Sequence, residues 1–157
     1  MQIHFRQATE ADAPRLIPMI NHAFEVETFM GGTRTDAERL AEEMHNGLIL
    51  LAEGDAGQLL GSIYYEPTAP QGYLGMLAVD TAHQRQGLAH AMVAAVEERL
   101  RHAGCREARI VVLSLRTELM PVYRHWGFVE TETIDFDPGR PILPGYDCHG
   151  IVMIKPL

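Results

Sequence analysis

The chain has 157 residues, 46% of them hydrophobic, and its 21 acidic against 13 basic side chains give a formal charge of −8. One globular domain over residues 1–157 is expected, with enough chain to bury about two-thirds of its surface. The acidic balance excludes a nucleic-acid partner that depends on clustered Lys and Arg, and it is compatible with cationic amine ligands.

The amino terminus, Met-Gln-Ile-His-Phe-Arg, lacks the apolar run of a signal peptide, and no apolar run approaches transmembrane length. A soluble, cytoplasmic protein with no membrane partner is expected. Ile3 to Ala8 alternates as a first strand. Thr9-Glu10-Ala11-Asp12 reads as a capping box, with Pro14 in the permissive first turn. Leu16, Ile17, Ile20, Ala23 and Phe24 form the buried face of a helix that Pro18 should kink or divide. Glu25 to Arg34, with Gly31-Gly32, reads as a mobile connection. Thr35-Asp36-Ala37-Glu38 is a second capping box, opening a helix that ends near Gly47. Leu48 to Glu53 and Gln58 to Glu66 read as strands joined by a hairpin turn at Gly54-Asp55-Ala56-Gly57. Pro67 to Gly72 is a loop.

An apolar strand from Tyr73 to Val79 then runs through a short polar loop into a helix opened by Gly87-Leu88-Ala89 and stopped by Gly104. Leu88, Ala91, Met92, Ala95, Val96, Leu100 and Ala103 recur at helical spacing. A strand feeding a helix through a small-residue turn directs free backbone N–H groups and the positive end of the helix dipole at one point. That point is a site for a phosphate-type anion. Gly87 leaves room for backbone and ligand to approach, and Arg85 adds a cation. No Gly-Lys-Ser/Thr follows, as a Walker A loop requires, and one glycine stands where a dinucleotide fingerprint needs three.

A strand from Ala108 to Leu113, a short helix near Leu119 to Trp126, and strands over Phe128 to Ile134 and Gly150 to Lys155 complete the chain. A Pro/Gly-rich loop covers Asp137 to Tyr146. The order β-α-α-β-β-β-α-β-α-β-β implies a parallel pair around the central helix and antiparallel flanks, hence a mixed sheet. His83, His90 and His102 lie around the central helix without an i, i+4 pair, so no metal is expected. His90 is expected close to the anion. Cys105 and Cys148 form no framework and no Cys-x-x-Cys, which fits a reduced setting.

Gln84-Arg85-Gln86-Gly87-Leu88-Ala89 resembles the Gln/Arg-x-x-Gly-x-Gly/Ala signature of the GNAT N-acetyltransferase family. Tyr123-Arg124-His125-Trp126-Gly127-Phe128 is similar to that family's Tyr-x-x-x-Gly-Phe block, and the closing Ile151 to Leu157 to its last strand. The element order extends the resemblance across nearly the full chain. It implies an α/β fold with a mixed, mostly antiparallel seven-stranded sheet, a central parallel pair and about four helices.

The resemblance further implies acetyl-CoA as the acyl-donor co-substrate, its pyrophosphate held by Gln84, Arg85, Gln86, Gly87, Leu88 and Ala89, with His90 beside them. Backbone amides of Leu77, Ala78 and Val79 would polarise the thioester carbonyl, and a donor of this kind is worth roughly 3 kcal/mol. Tyr123 takes the place of the family's general acid. A thiol of pKa about 8.5 is a moderate leaving group, so that acid contributes about 10²-fold or less.

Direct attack also demands a neutral amine. At a pKa of about 10.4 the amine is protonated roughly a thousand to one near neutrality, an unfavourable term of about 4 kcal/mol. Many family members place a glutamate early in the central strand, where this chain has Tyr73, Leu74, Gly75 and Met76. Glu66, Glu25, Glu27 and His149 are the substitutes on offer, and no base is assigned. Ahead of the tyrosine the family often has Asn-x-x-Ala, and here Arg116 and Leu119 are followed by Pro121. The expected function is acetyl transfer to a primary amine of a small molecule. A protein or peptide N-acetyltransferase is an alternative and would need an open groove shaped by Glu25 to Arg34 and Asp137 to Tyr146. A non-catalytic coenzyme A-binding regulatory module is another. Many relatives dimerise, so a homodimer is compatible with the resemblance, although the sequence specifies no interface.

Overall fold

The computed structural model describes residues 2–157. Among these, seven strands form one sheet: β1 (His4–Gln7), β2 (Leu48–Glu53), β3 (Leu59–Glu66), β4 (Gln71–Val79), β5 (Glu107–Leu113), β6 (Val129–Ile134) and β7 (Gly150–Pro156). Their spatial order is β1-β2-β3-β4-β5-β7-β6. The helices are α1 (Ala13–Ala23), α2 (Ala37–Asn46), α3 (Leu88–His102) and α4 (Leu119–His125). Every neighbouring pair of strands is antiparallel except β4 and β5, which are joined through α3 and run parallel. The mixed sheet, its central parallel pair and the element order are those expected.

The sheet is covered on both faces, which explains why β2 reads as a continuous apolar run rather than an alternating one. Leu50 and Ala52 point into a core built on α3, with Met92, Val96 and Leu100. Ile49 and Leu51 point the other way, against Leu16 and Ile20 of α1 and Leu40 of α2. The strand's two-residue period sorts neighbouring side chains into separate cores.

Three local expectations are corrected. α1 runs unbroken through Pro18. Pro18 and Pro14 both lie on its exposed side, so the Pro14 carbonyl that loses its helical partner can turn to water. The cap of α2 is Asp36, whose Oδ1 accepts from the Arg39 N–H at 2.8 Å. Thr35 is instead wholly buried, with its N–H donated to Asn21 Oδ1 at 2.9 Å. The stretch from Glu25 to Arg34 is an ordered strap rather than a mobile connection. Phe29 and Met30 bury their side chains, and Met30 bridges Ile142. The Gly31 N–H donates to the Pro141 carbonyl at 2.8 Å and the Leu143 N–H to the Phe29 carbonyl at 2.9 Å.

Candidate active site

β4 and β5 pair only at their start, Gln71–Tyr73 against Glu107–Arg109. Beyond that the two strands part. β5 satisfies its other edge along its whole length against β7, from Glu107↔Pro156 to Leu113↔Gly150. β4 carries a bulge: Ser62 faces Ala78 and Tyr64 faces Gly75, so Met76 and Leu77 together oppose Ile63. Met76 has φ 48, a left-handed conformation rare outside glycine. The bulge takes Met76 and Leu77 out of the regular ladder beside the opening, and places main-chain polar groups where a ligand between the strands can meet them.

At the end of β4, Gln84 Nε2 donates to the Val79 carbonyl at 3.2 Å and folds the polar loop back on the strand. Arg85 (φ 63) and Gly87 (φ 78) are both left-handed, and no atom lies within 4 Å of where a Gly87 Cβ would stand. The first intrahelical bond of α3 runs from the Ala91 N–H to the Gly87 carbonyl. The N–H groups of Leu88, Ala89 and His90 therefore precede the helical ladder and gather at its positive end. Open space above the turn leads into a hollow of about 530 Å³, walled by Leu77, Val79, Leu119, Val122 and Trp126 as well as the turn itself. His90 stacks flat on Trp126, ring centres 5.2 Å apart.

A second cavity, about 160 Å³, lies between the parted strands and shares Phe24, Leu77, Arg116 and Leu119 with the first. Tyr123 reaches this cavity from α4, held edge-on against Trp126 at 5.5 Å and Phe128 at 5.8 Å. Burial pushes its hydroxyl pKa up to about 12; Arg116 opposes the shift and Tyr73 adds to it. The phenol is thus a protonated group at neutral pH.

The remaining wall of the cavity is ionic. Glu27, 4% exposed, accepts from Arg116 Nη1 at 2.7 Å and from Arg140 Nη1 at 3.4 Å. Arg116 also donates to Glu118 at 2.6 Å, and Arg140 to the Gly31 and Gly32 carbonyls at 3.0 and 3.3 Å. Burial works against the Arg116 charge, and its hydrogen bonds to Glu118 and Glu27 outweigh that and raise its pKa. Arg140 is pulled below its ordinary value by burial, and Arg34 and Arg39 lower it further against the pull of Glu27. Arg34 completes the wall, its guanidinium 5.2 Å from the Phe24 ring centre. Three guanidiniums and one carboxylate face a cavity inside an acidic chain, the reverse of what net charge suggests for the ligand.

Of the residues singled out from the sequence, Leu77, Val79, Gln84, Arg85, Gly87, Leu88, Ala89 and His90 come together around the larger hollow. Ala78 packs into the α1-side core, and Gln86 lies exposed on the turn without lining either space. The four carboxylate and histidine substitutes for a base separate. Glu27 is committed to two arginines, and exposed Glu25 pairs with His22 at 3.3 Å. Glu66 accepts from the Tyr64 hydroxyl and lies in a neighbouring hollow that shares Tyr73. The His149 N–H donates to Ser114 Oγ at 3.0 Å, outside the cavity wall. Sequence reasoning missed the Met76 bulge and the roles of Arg34 and Arg140. No local pattern marks them, because each acts through partners far along the chain. Among the described residues no group of three His, Cys, Asp or Glu side chains could hold a metal ion, and no helix is long and apolar enough to cross a membrane.

The acetyltransferase (GNAT) domain family model matches residues 16–144. No curated protein matches the sequence. Among solved structures, the ribosomal-protein-alanine N-acetyltransferase of Brucella melitensis superposes with TM-score 0.76 at 24% identity, over 98% of this chain and 99% of its own. A GNAT family acetyltransferase from Elizabethkingia anophelis, solved with acetyl-CoA bound, gives 0.78 at 17% identity, over 99% of this chain and 98% of that one. The PaiA N-acetyltransferase of Thermoplasma acidophilum, in complex with coenzyme A, gives 0.78 at 18% identity over 100% of both chains. These structures share the overall fold described above, and because the family model matches most of the chain, the chain belongs to the GNAT acetyltransferases, a family of acyltransferase enzymes.

Proposed function

We propose that this protein is an N-acetyltransferase that moves an acetyl group from acetyl-CoA to a primary amine of a small molecule by direct attack. When bound, acetyl-CoA supplies the activated acetyl group. The turn fits its pyrophosphate: the space above Gly87 is open, the N–H groups of Leu88, Ala89 and His90 converge, and Arg85 adds charge. Leu77, Val79, Leu119 and Trp126 offer the apolar walls that suit a pantetheine arm. We assign the thioester carbonyl to main-chain donors of Leu77, Ala78 and Val79, which follow the bulge, a contact worth roughly 3 kcal/mol in the transition state. Tyr123, protonated at neutral pH, would protonate the departing thiolate.

The choice of a small acceptor rests on one observation. The two segments that would border a peptide groove are tied together by the Met30–Ile142 bridge, the flanking main-chain bonds and Arg140. That closure leaves a cavity rather than a trough. The arginine surplus in its wall also disfavours an ammonium ion and so favours the neutral amine that attack requires. Glu27, with its oxygens engaged by Arg116 and Arg140, holds those cations in place and is not available as a base. Retention of Tyr123 in the cavity argues against a binding module without turnover.

The test is release of free thiol from acetyl-CoA in the presence of a panel of small primary amines. Release that requires an amine, with the acetylated amine recovered, supports the proposal. Acetyl-CoA binding with no amine-dependent release would convert the reading to a binding module. Acetylation confined to polypeptide amino termini would convert it to a peptide enzyme.

A further inference from the structure

The three cavity arginines are not equivalent. Arg116 and Arg140 spend their donors on Glu27, Glu118 and the strap carbonyls. Arg34 does not. Its one ionic partner among the described residues is Glu43, at 3.9 Å, too far for a hydrogen bond. Burial pushes the Glu43 pKa up, Arg34 and Arg39 oppose the shift and Glu42 adds to it. The Arg34 side chain is nevertheless three-quarters buried, at 24% exposure. It stands in the wall shared by the inter-strand cavity and a second hollow of about 260 Å³ under the strap.

A partly buried guanidinium with uncommitted donors is costly to keep, and it is complementary to an oxyanion that can meet its planar fork. That oxyanion is not a phosphate of the acyl donor. Arg34 is absent from the walls of the hollow above the α3 turn, where the cations are Arg85 and Arg116. It lines the inter-strand cavity together with Tyr73 and Arg140, neither of which lines the hollow above the turn. An acceptor amine seated beside Tyr123 and the β4 bulge would have Arg34 on its far side.

We propose that the acceptor is a small primary amine that also carries a carboxylate, an amino acid in chemical class, and that Arg34 is the residue that binds the carboxylate. This rests on the acetyl-transfer reading for its reaction but not for its binding site. Arg116, Arg140 and Glu27 then fix the floor against which the acceptor is oriented.

The experiment compares free amino acids with their carboxamides and with the corresponding decarboxylated amines. It reads kcat/KM for thiol release and, separately, calorimetric binding to protein saturated with coenzyme A. The carboxylate form should be preferred by about tenfold or more in both, as expected for a charge-assisted pair. Arg34→Gln should erase that preference, raising KM for the acids by about tenfold or more relative to the decarboxylated amines. Arg34→Lys, which keeps the charge without the fork, should fall between. Equal use of acids and amides by the wild-type protein would overturn the proposal while leaving acetyl transfer standing. Selective binding of the acids without acetylation of any amine would uphold the Arg34 site and overturn the transfer reading. Neither binding nor acetylation of any amine would overturn both.

Discussion

The two ends of the cleft are built by opposite means. The end proposed for the donor is main chain: six consecutive residues, Gln84 to Ala89, bend so that a helix presents its first N–H groups over a glycine with nothing within 4 Å of its missing Cβ. The acceptor end is side chain. Glu27, Arg34, Arg116 and Arg140 come from separate stretches, with Glu27 meeting partners 89 and 113 residues away. A main-chain site needs a local turn and tolerates variation in the side chains around it. A side-chain site needs the whole fold in place before any of its charges is compensated.

The largest effect that separates the ends is expected from Glu27→Gln. Removing one member of a buried ion cluster leaves Arg140, 7% exposed, and Arg116, 15% exposed, without their carboxylate. A loss of about 3–5 kcal/mol in unfolding free energy is expected in denaturant titration, with acetyl-CoA affinity retained by the folded fraction. A neutral result would mean that the acceptor end does not depend on the cluster. Tyr123→Phe comes next and probes the point where the ends meet. The ring and its edge-on contacts survive, so thiol release should slow by about 10²-fold or less while acetyl-CoA binding is unchanged. An unchanged rate would remove Tyr123 from the chemistry.

The smallest effect lies away from both ends, at the sheet edge. Arg6 and Arg15 clasp Asp12 and Glu53 where β1, β2 and the start of α1 meet. Side-chain hydrogen bonds from Arg6, the largest cause in each case, hold both carboxyls below their ordinary values. Depressed folded-state values mean that this stabilisation is complete above the ordinary carboxylate range, about pH 4, and is lost as pH falls below it. The melting temperature should therefore hold steady from neutral pH to about pH 5 and drop below about pH 4. Asp12→Asn should lower the plateau and flatten the drop. A wild-type profile that is flat through the acid range would show that the clasp contributes nothing.

The same contrast decides what could be read before the fold was known. Leu48 to Glu53 and the α3 stripe were legible because burial on one or two faces imposes a period on a contiguous run. The turn at Gly87 and the short helix that carries Tyr123 were legible because the residues that form each are neighbours in sequence. Pro18 misled because its penalty depends on which side of α1 faces water, a tertiary fact. The strap from Glu25 to Arg34 misled because Gly31-Gly32 suggests freedom, whereas its order comes from Phe29, Met30 and Arg140. The Met76 bulge had no signal at all, since methionine carries no preference for its left-handed backbone. Arg34, Arg116 and Arg140 looked like three of many arginines until the fold brought them to one wall.

The most direct test of the account is calorimetric titration of acetyl-CoA into the wild-type protein and into Gly87→Glu. At φ 78 any side chain is strained, and a carboxylate there would occupy the space held for the pyrophosphate. Because the position is exposed, the variant should still fold, with a melting temperature lowered only by that backbone strain. Saturable binding by the wild-type protein that disappears in a folded Gly87→Glu is the predicted result. A folded wild-type protein that binds no acetyl-CoA, or a Gly87→Glu variant that binds it equally well, would contradict the placement of the donor at the α3 turn.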